Sequence, residues 1–260
     1  MDGRYEPVPV TRLPDDIPMV EMPREMLDKR LIVGFDGFDA RSRAFNLLRT
    51  QLTKILDAKK WNMIGVTSAT PGAGKTFTSV NLAAALSRTE KRKVLLCDLD
   101  MRRGSVLKQL GVGANVTLDD CLRGECEDWR DALFKVNNDH FLVLPTEAEL
   151  YDPTEIITGD RFNSLMRDLR GLGPEYLVVC DLPPVFANDD AMLCMAHLDA
   201  YLYIVDHGHT TARQIEESLA LLAPAQCLGT VLNRYQGGLG DDYGYGYGDT
   251  YGLREYSAKE

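Results

Sequence analysis

The chain has 260 residues, 45% of them hydrophobic and 26% charged, with a formal net charge of −10, which is room for one sizeable α/β domain with appendages and tight for two. The acidic balance excludes a nucleic-acid-coating surface, which needs a basic face to neutralise phosphates, so no nucleic-acid partner is expected. The opening MDGRYEPVPVTRLPDDIPMVE lacks the apolar core of a signal peptide, and no stretch reaches the ~20 apolar residues that cross a bilayer, which leaves membrane association to a partner.

Residues 1–30, rich in proline and acidic side chains with no sustained period, read as an extended arm. In 41–58, Phe45, Leu48, Leu52 and Ile55 recur at helical spacing with Arg and Lys between them. From residue 62, strand and helix alternate. Apolar runs at 62–67, 93–98, 141–144, 176–181, 201–205 and 228–232 read as strands. A helix runs from the glycine loop to about 87, with Val80, Ala83 and Ala84 inward, and another covers 211–223, opening on the capping box Thr211-x-x-Gln214. Strands that are apolar throughout and separated by helices predict an α/β fold of the P-loop NTPase type, a mainly parallel sheet with helices on both faces. Ligands of such sheets bind at the carboxyl ends of the strands. The expected division is an arm over 1–30, an ATP-binding domain over 31–235, and a flexible Gly- and Tyr-rich tail over 236–260, which has too few aliphatics for a core.

Six cysteines, at 97, 121, 126, 180, 194 and 227, are scattered without a CxxC pair, and reduced thiols are expected. His207 and His209 have no acidic or cysteine companion that would make a metal site, Lys91 to Lys93 read as a solvated turn, and Tyr201 and Tyr203 as core aromatics.

Ala69-Thr70-Pro71-Gly72-Ala73-Gly74-Lys75-Thr76 fits the P-loop consensus with Ala for the first glycine, between a strand and a helix. Small residues are needed because the backbone N–H groups of Gly72, Ala73 and Gly74 must approach phosphate oxygens, with the next helix adding its positive end. Lys75 is placed to reach the β- and γ-phosphates and the Thr76 hydroxyl to ligate Mg²⁺, so ATP and Mg²⁺ are the expected cofactors. Pro71 within the loop and Phe77 just after it complete the nucleotide-binding set. Asp181 closes the run LVVCD before Leu182-Pro183-Pro184, where a Walker B metal residue belongs. Asp98 and Asp100 lie two apart at a strand end, followed by Arg102 and Arg103; one carboxylate can serve the metal while the other accepts a proton, or both can belong to a solvated turn.

Taken together, SATPGAGKT, VLLCDLDMRR, VVCDLPP, VLNR and the terminal tyrosines resemble the bacterial tyrosine kinases of capsule and exopolysaccharide synthesis, the CpsD/CapB-like group, from about Arg30 to Arg234 and in the tail. The resemblance implies a tyrosine autokinase regulating polymer synthesis and export. Lys75 and Thr76 match its Walker A, Asp98 and Asp100 its Walker A′, and Asp181 its Walker B. It implies that Asp98 activates the attacking tyrosine hydroxyl, that Asp100, Thr76 and Asp181 form the metal shell, and that Asn233 and Arg234 contact adenine. Tyr243, Tyr245, Tyr247, Tyr251 and Tyr256 match tail acceptors phosphorylated between subunits. It further implies other copies of the chain, a separate transmembrane polysaccharide copolymerase as activator, a cognate tyrosine phosphatase, and a cytoplasmic location held at the inner membrane face by the partner. Three positions depart from the pattern: Arg43 and Asn46 stand where the family's oligomerisation helix Glu-x-x-Arg-x-x-Arg has Glu and its first Arg, only the last Arg being kept at Arg49, and Leu182 replaces a small polar residue. Competing expectations are a partitioning-type ATPase, whose signature lysine would stand at Thr70, and a nucleotide-gated binding module with little kinase activity.

Overall fold

The computed structural model describes residues 10–89, 91–147, 150 and 152–235. The strands are β1 (Met19–Val20), β2 (Met63–Ser68), β3 (Lys93–Asp98), β4 (Phe134–Val136), β5 (Asn138–Leu144), β6 (Tyr176–Asp181), β7 (Ala200–Asp206) and β8 (Gln226–Asn233). They make one eight-stranded sheet in the order β1-β4-β5-β3-β6-β2-β7-β8, and every neighbouring pair is parallel except β4 with β5. The helices are α1 (Arg24–Lys29), α2 (Arg43–Lys59), α3 (Lys75–Ser87), α4 (Val106–Leu110), α5 (Leu118–Arg123), α6 (Thr154–Ile157), α7 (Asp160–Arg170), α8 (Asp190–Met195) and α9 (Ala212–Leu222).

The central strands carry unbroken apolar runs, at 63–66, 94–97 and 177–180, because both of their faces are covered. Ile64, Leu96 and Val179 pack with Val80, Ala83 and Ala84 of α3 and Leu52 and Leu56 of α2. Their neighbours Met63, Leu95 and Val178 point the other way, toward Phe162 and Leu165 of α7 and Cys194 of α8. That is the two-residue period of a strand with a helix layer on each side. Tyr201 and Tyr203 are buried in β7, and the Tyr203 hydroxyl donates to Ser218 of α9 at 2.8 Å. Thr211 and Gln214 form the expected capping box of α9.

Two expectations change. Residues 10–30 are not extended throughout: β1 pairs with β4, α1 follows, and Ile17 and Met22 enter the core. Asn137 locks this segment down by accepting the Met22 amide at 2.6 Å. Cys121 and Cys126, expected as thiols, are joined in a disulfide. Gly124, at φ +86°, ends α5 and turns the chain back, which brings the two Cα atoms to 4.5 Å. Cys97, Cys180 and Cys194 are free and buried, and Cys227 is free and exposed. Among the described residues no helix is long and apolar enough to cross a membrane.

Candidate active site

β2 ends at Ser68, the loop 69–74 follows, and α3 begins at Lys75. Two glycines shape the loop, Gly72 at φ +82° and Gly74 at φ +94°. At Gly74 a side chain is excluded on both counts, since a Cβ would also sit 2.1 Å from the Asn233 amide nitrogen. Asn233, the last residue of β8, donates from that nitrogen to the Ala73 carbonyl at 2.8 Å, so the far edge of the sheet holds the loop. Arg234 follows at φ +57° and pairs with Asp206 at 2.7 Å.

β3 and β6 are adjacent and parallel, in a register that sets Asp98 beside Asp181. Both aspartates are fully buried. Asp181 accepts from the Thr76 hydroxyl and, at 2.9 Å, from Ser79 one turn along α3. Burial pushes its carboxyl up to about 6, against the pull of the Lys75 charge and the two hydroxyl bonds. Asp98 accepts the amides of Ser105 and Val106 at 2.9 and 3.0 Å and the amide of Asp100 at 3.2 Å. Burial first, then the charge of Asp181, holds it well above the usual carboxylate range. Asp100 is raised by burial and restrained by Lys75, whose ammonium lies 4.0 Å away. Ser105 meets the Thr76 hydroxyl at 2.6 Å.

Above these groups opens a cleft of about 570 Å³. Pro71, Gly72, Gly74, Lys75, Thr76 and Phe77 form one wall, and Asp100 and Arg234 reach it from other elements. Ala73 is buried behind the wall, and Asp98 and Asp181 lie fully buried outside its lining. Arg102, expected only as a neighbour of the Asp pair, is held by Asp190 at the start of α8, and Arg103 is exposed on the cleft lip. Tyr243, Tyr245, Tyr247, Tyr251 and Tyr256 lie outside the described residues.

Three contributors were not singled out in the sequence. Ser79 follows Thr76 by three residues, so it shares its face of α3. Asp206 ends β7 at the same edge as Asp98 and Asp181, a position that could have marked it. Ser105 joins only through the fold.

Among the described residues no group of three His, Cys, Asp or Glu could hold a metal by itself. What converges is a hydroxyl, a carboxylate bonded to it, and a second carboxylate near Lys75. All are hard oxygen donors, too few for a protein cage. That suits Mg²⁺, which keeps water and takes its remaining ligands from substrate phosphates. The buried carboxylates, costly as anions, fit the same cation.

The family described as the CobQ/CobB/MinD/ParA nucleotide binding domain matches residues 64–243. The tyrosine-protein kinase wzc of Salmonella typhimurium is 30% identical over 236 residues, 89% of this chain and 32% of the relative. The chain thus spans about a third of that relative's length. The kinase domain of Escherichia coli tyrosine kinase ETK superposes with a TM-score of 0.70 at 28% identity, covering 85% of this chain and 92% of that one. The septum site-determining protein MinD of Pyrococcus horikoshii, solved with Mg-ADP, gives a TM-score of 0.56 at 26% identity, covering 67% and 71%.

Proposed function

The chain belongs to the CobQ/CobB/MinD/ParA nucleotide-binding family, where its similarity is to bacterial tyrosine kinases, and from that premise we propose an ATP- and Mg²⁺-dependent tyrosine autokinase. It phosphorylates Tyr243, Tyr245, Tyr247, Tyr251 and Tyr256 between subunits and so regulates exopolysaccharide or capsule synthesis and export.

The observation that carries this reading is the pairing of Asp98 and Asp181 under an open cleft, with Lys75 and Thr76 at its wall. The loop amides and Lys75 bind the triphosphate, and Asn233 with Arg234 bounds the base. Thr76, Asp181 and Asp100 would hold Mg²⁺, which would supply neutralisation of the phosphate charge. Asp98 is the proton acceptor, its buried carboxyl holding a proton more tightly than an ordinary aspartate. The tyrosine oxygen bonds to the γ-phosphorus while its proton passes to Asp98. The bond from that phosphorus to the β–γ bridging oxygen breaks, and ADP leaves. Arg103 at the lip offers a cation to the incoming acidic segment.

A separate membrane polysaccharide copolymerase as activator, oligomerisation with further copies, and a cognate tyrosine phosphatase complete the proposal, with the chain peripheral at the inner membrane face. The test is incubation with ATP and Mg²⁺, with and without the membrane partner, read by anti-phosphotyrosine blot and tail mass. Lys75→Met and the five-fold Tyr→Phe tail should each abolish the signal. Asp98→Asn should abolish transfer while nucleotide still binds. ATP binding and hydrolysis with no phosphotyrosine in any arm would reject the kinase in favour of a nucleotide-gated module.

A further inference from the structure

The order of the strands gives the phosphate loop two different flanks. The loop follows β2, and in the run β3-β6-β2-β7-β8 the carboxylates Asp98 and Asp181 end the strands on one side, while Asp206 and Asn233 end those on the other. Neighbouring strands lie about 4.8 Å apart, so β3 and β8 each end about 10 Å from β2. A nucleotide whose γ-phosphate meets the carboxylates therefore lies across the loop with its base toward β8.

Asp206 is held firmly there, and few groups meet its charge. Its amide donates to the Thr210 hydroxyl at 2.9 Å, and its carbonyl accepts the amides of His209 and Thr210 at 3.0 and 2.9 Å. Its side chain is 9% exposed, and one carboxylate oxygen, Oδ1, is buried with no hydrogen-bond partner. The other, Oδ2, accepts from Nη1 of Arg234 at 2.7 Å and lies 3.7 Å from Nδ1 of His209, a side chain 78% exposed. A buried carboxylate with so little else around it depends on that guanidinium for neutralisation. Arg234 is fixed from a second direction as well. Its amide donates to Oδ1 of Asn233 at 3.0 Å, and the amide nitrogen of the same Asn233 holds Ala73. Even so, 54% of the Arg234 side chain is exposed, and it lines the cleft together with Lys75 and Thr76.

A long exposed side chain samples many rotamers, and ordering it when a ligand arrives subtracts from affinity. Asp206 has ordered Arg234 in advance. A planar guanidinium held still can present its face to an aromatic base. We propose that Asp206 is a positioning residue for the nucleotide: through Arg234 it sets affinity for the base and leaves the phosphates to the loop. This role rests on reading the cleft as a nucleotide site with Arg234 at the base. Asp206 lies outside the cleft lining and so acts only through the arginine.

The test is calorimetric titration of the full chain with two Mg²⁺ complexes, that of AMP-PNP, which is not hydrolysed, and that of tripolyphosphate, which has no base. Asp206→Ala should weaken AMP-PNP about fivefold, the worth of ordering one long side chain on binding, and leave tripolyphosphate unchanged. Asp206→Asn keeps the shape without the charge and should shift AMP-PNP in the same direction, which serves if the alanine variant does not fold. Arg234→Ala should weaken AMP-PNP at least as much, and adding Asp206→Ala to it should cost nothing further. Unchanged AMP-PNP affinity in the Asp206 variants overturns the proposal. An equal loss of tripolyphosphate overturns it too, since that means a damaged loop. So does additive loss in the double variant, which means that Asp206 acts apart from Arg234. A wild-type chain that binds neither ligand sinks the nucleotide reading and this role with it. One that binds both but never labels its own tail sinks the kinase reading alone and leaves the positioning result standing.

Discussion

Replacing Asp181 with asparagine should stabilise the protein when neither cation nor nucleotide is present. Folding moves the Asp181 carboxyl from its ordinary 3.8 to about 6. Ionising it inside the sheet rather than in the unfolded chain therefore costs about 3 kcal/mol. The sign follows from which state holds the proton more tightly. The folded state does, so the favourable contribution is complete below pH 3.8 and lost as the pH rises through about 6. The substituted amide carries no charge to desolvate, but Thr76 and Ser79 must turn from donors to a carboxylate into partners of an amide. That exchange forfeits about 1 kcal/mol for each bond. A net gain of about 1 kcal/mol remains at pH 8, or ~3 °C in melting temperature for a chain of this size. Relief of Asp98, whose neighbouring charge disappears, acts in the same direction. The assay is thermal unfolding of both proteins in chelator at pH 8 and again at pH 4.5. The advantage should be present at pH 8 and shrink or reverse at pH 4.5, and added Mg²⁺ and ATP at pH 8 should favour the wild type. An Asp181→Asn protein that melts lower at pH 8, or by an equal margin at both pH values, would refute the argument that burial of this charge is unfavourable.

Gly74→Ala combines a left-handed backbone with a Cβ 2.1 Å from Asn233, and should lose ~2 kcal/mol or more of stability together with nucleotide affinity, measured by denaturant unfolding and fluorescent-nucleotide titration. Asn81→Ala strips acceptors from the amides of Val33 and Gly34 at 2.7 and 3.0 Å and a donor from the Leu31 carbonyl; unfolding should show a loss of ~3 kcal/mol, with protease nicking near residue 33. His197 is held below its usual range by burial and by the charge of Arg170. Its contribution is complete above pH 6.5 and lost as the pH falls through its folded value, so the stability of wild type relative to His197→Gln should fall between pH 7.5 and pH 5. A constant difference would exclude that role.

Legibility in the sequence followed how local each determinant is. The loop at 69–76 was read in full because its chemistry sits in consecutive residues. β2, β3, β6 and β7 were evident because burial on both faces makes the body of each strand an unbroken apolar run. β1 and β4 have two and three residues and are strands only by virtue of the neighbours they pair with in the sheet, so no run announced them. Asp98 and Asp181 were each chosen as strand ends, yet their adjacency depends on a strand order that the chain does not spell out. Ser105 was invisible for a related reason: its hydroxyl matters only because α4 starts beside Thr76. The disulfide followed from Gly124 turning the chain after α5, a backbone conformation that the spacing of Cys121 and Cys126 alone does not reveal.

The grip of Asn233 on Ala73 also fixes where the tail is rooted. Tyr243 comes nine residues after Arg234, a tether of at most ~30 Å. On the proposed reading of Tyr243 as an acceptor, a short tether anchored beside the phosphate loop would offer it to its own cleft at an effective concentration on the order of millimolar. Transfer to a neighbour must therefore outcompete a substrate that never diffuses away. The kinetic order exposes which route prevails: labelling per chain that is independent of dilution belongs to the chain's own tail, and labelling that rises with protein concentration belongs to another's.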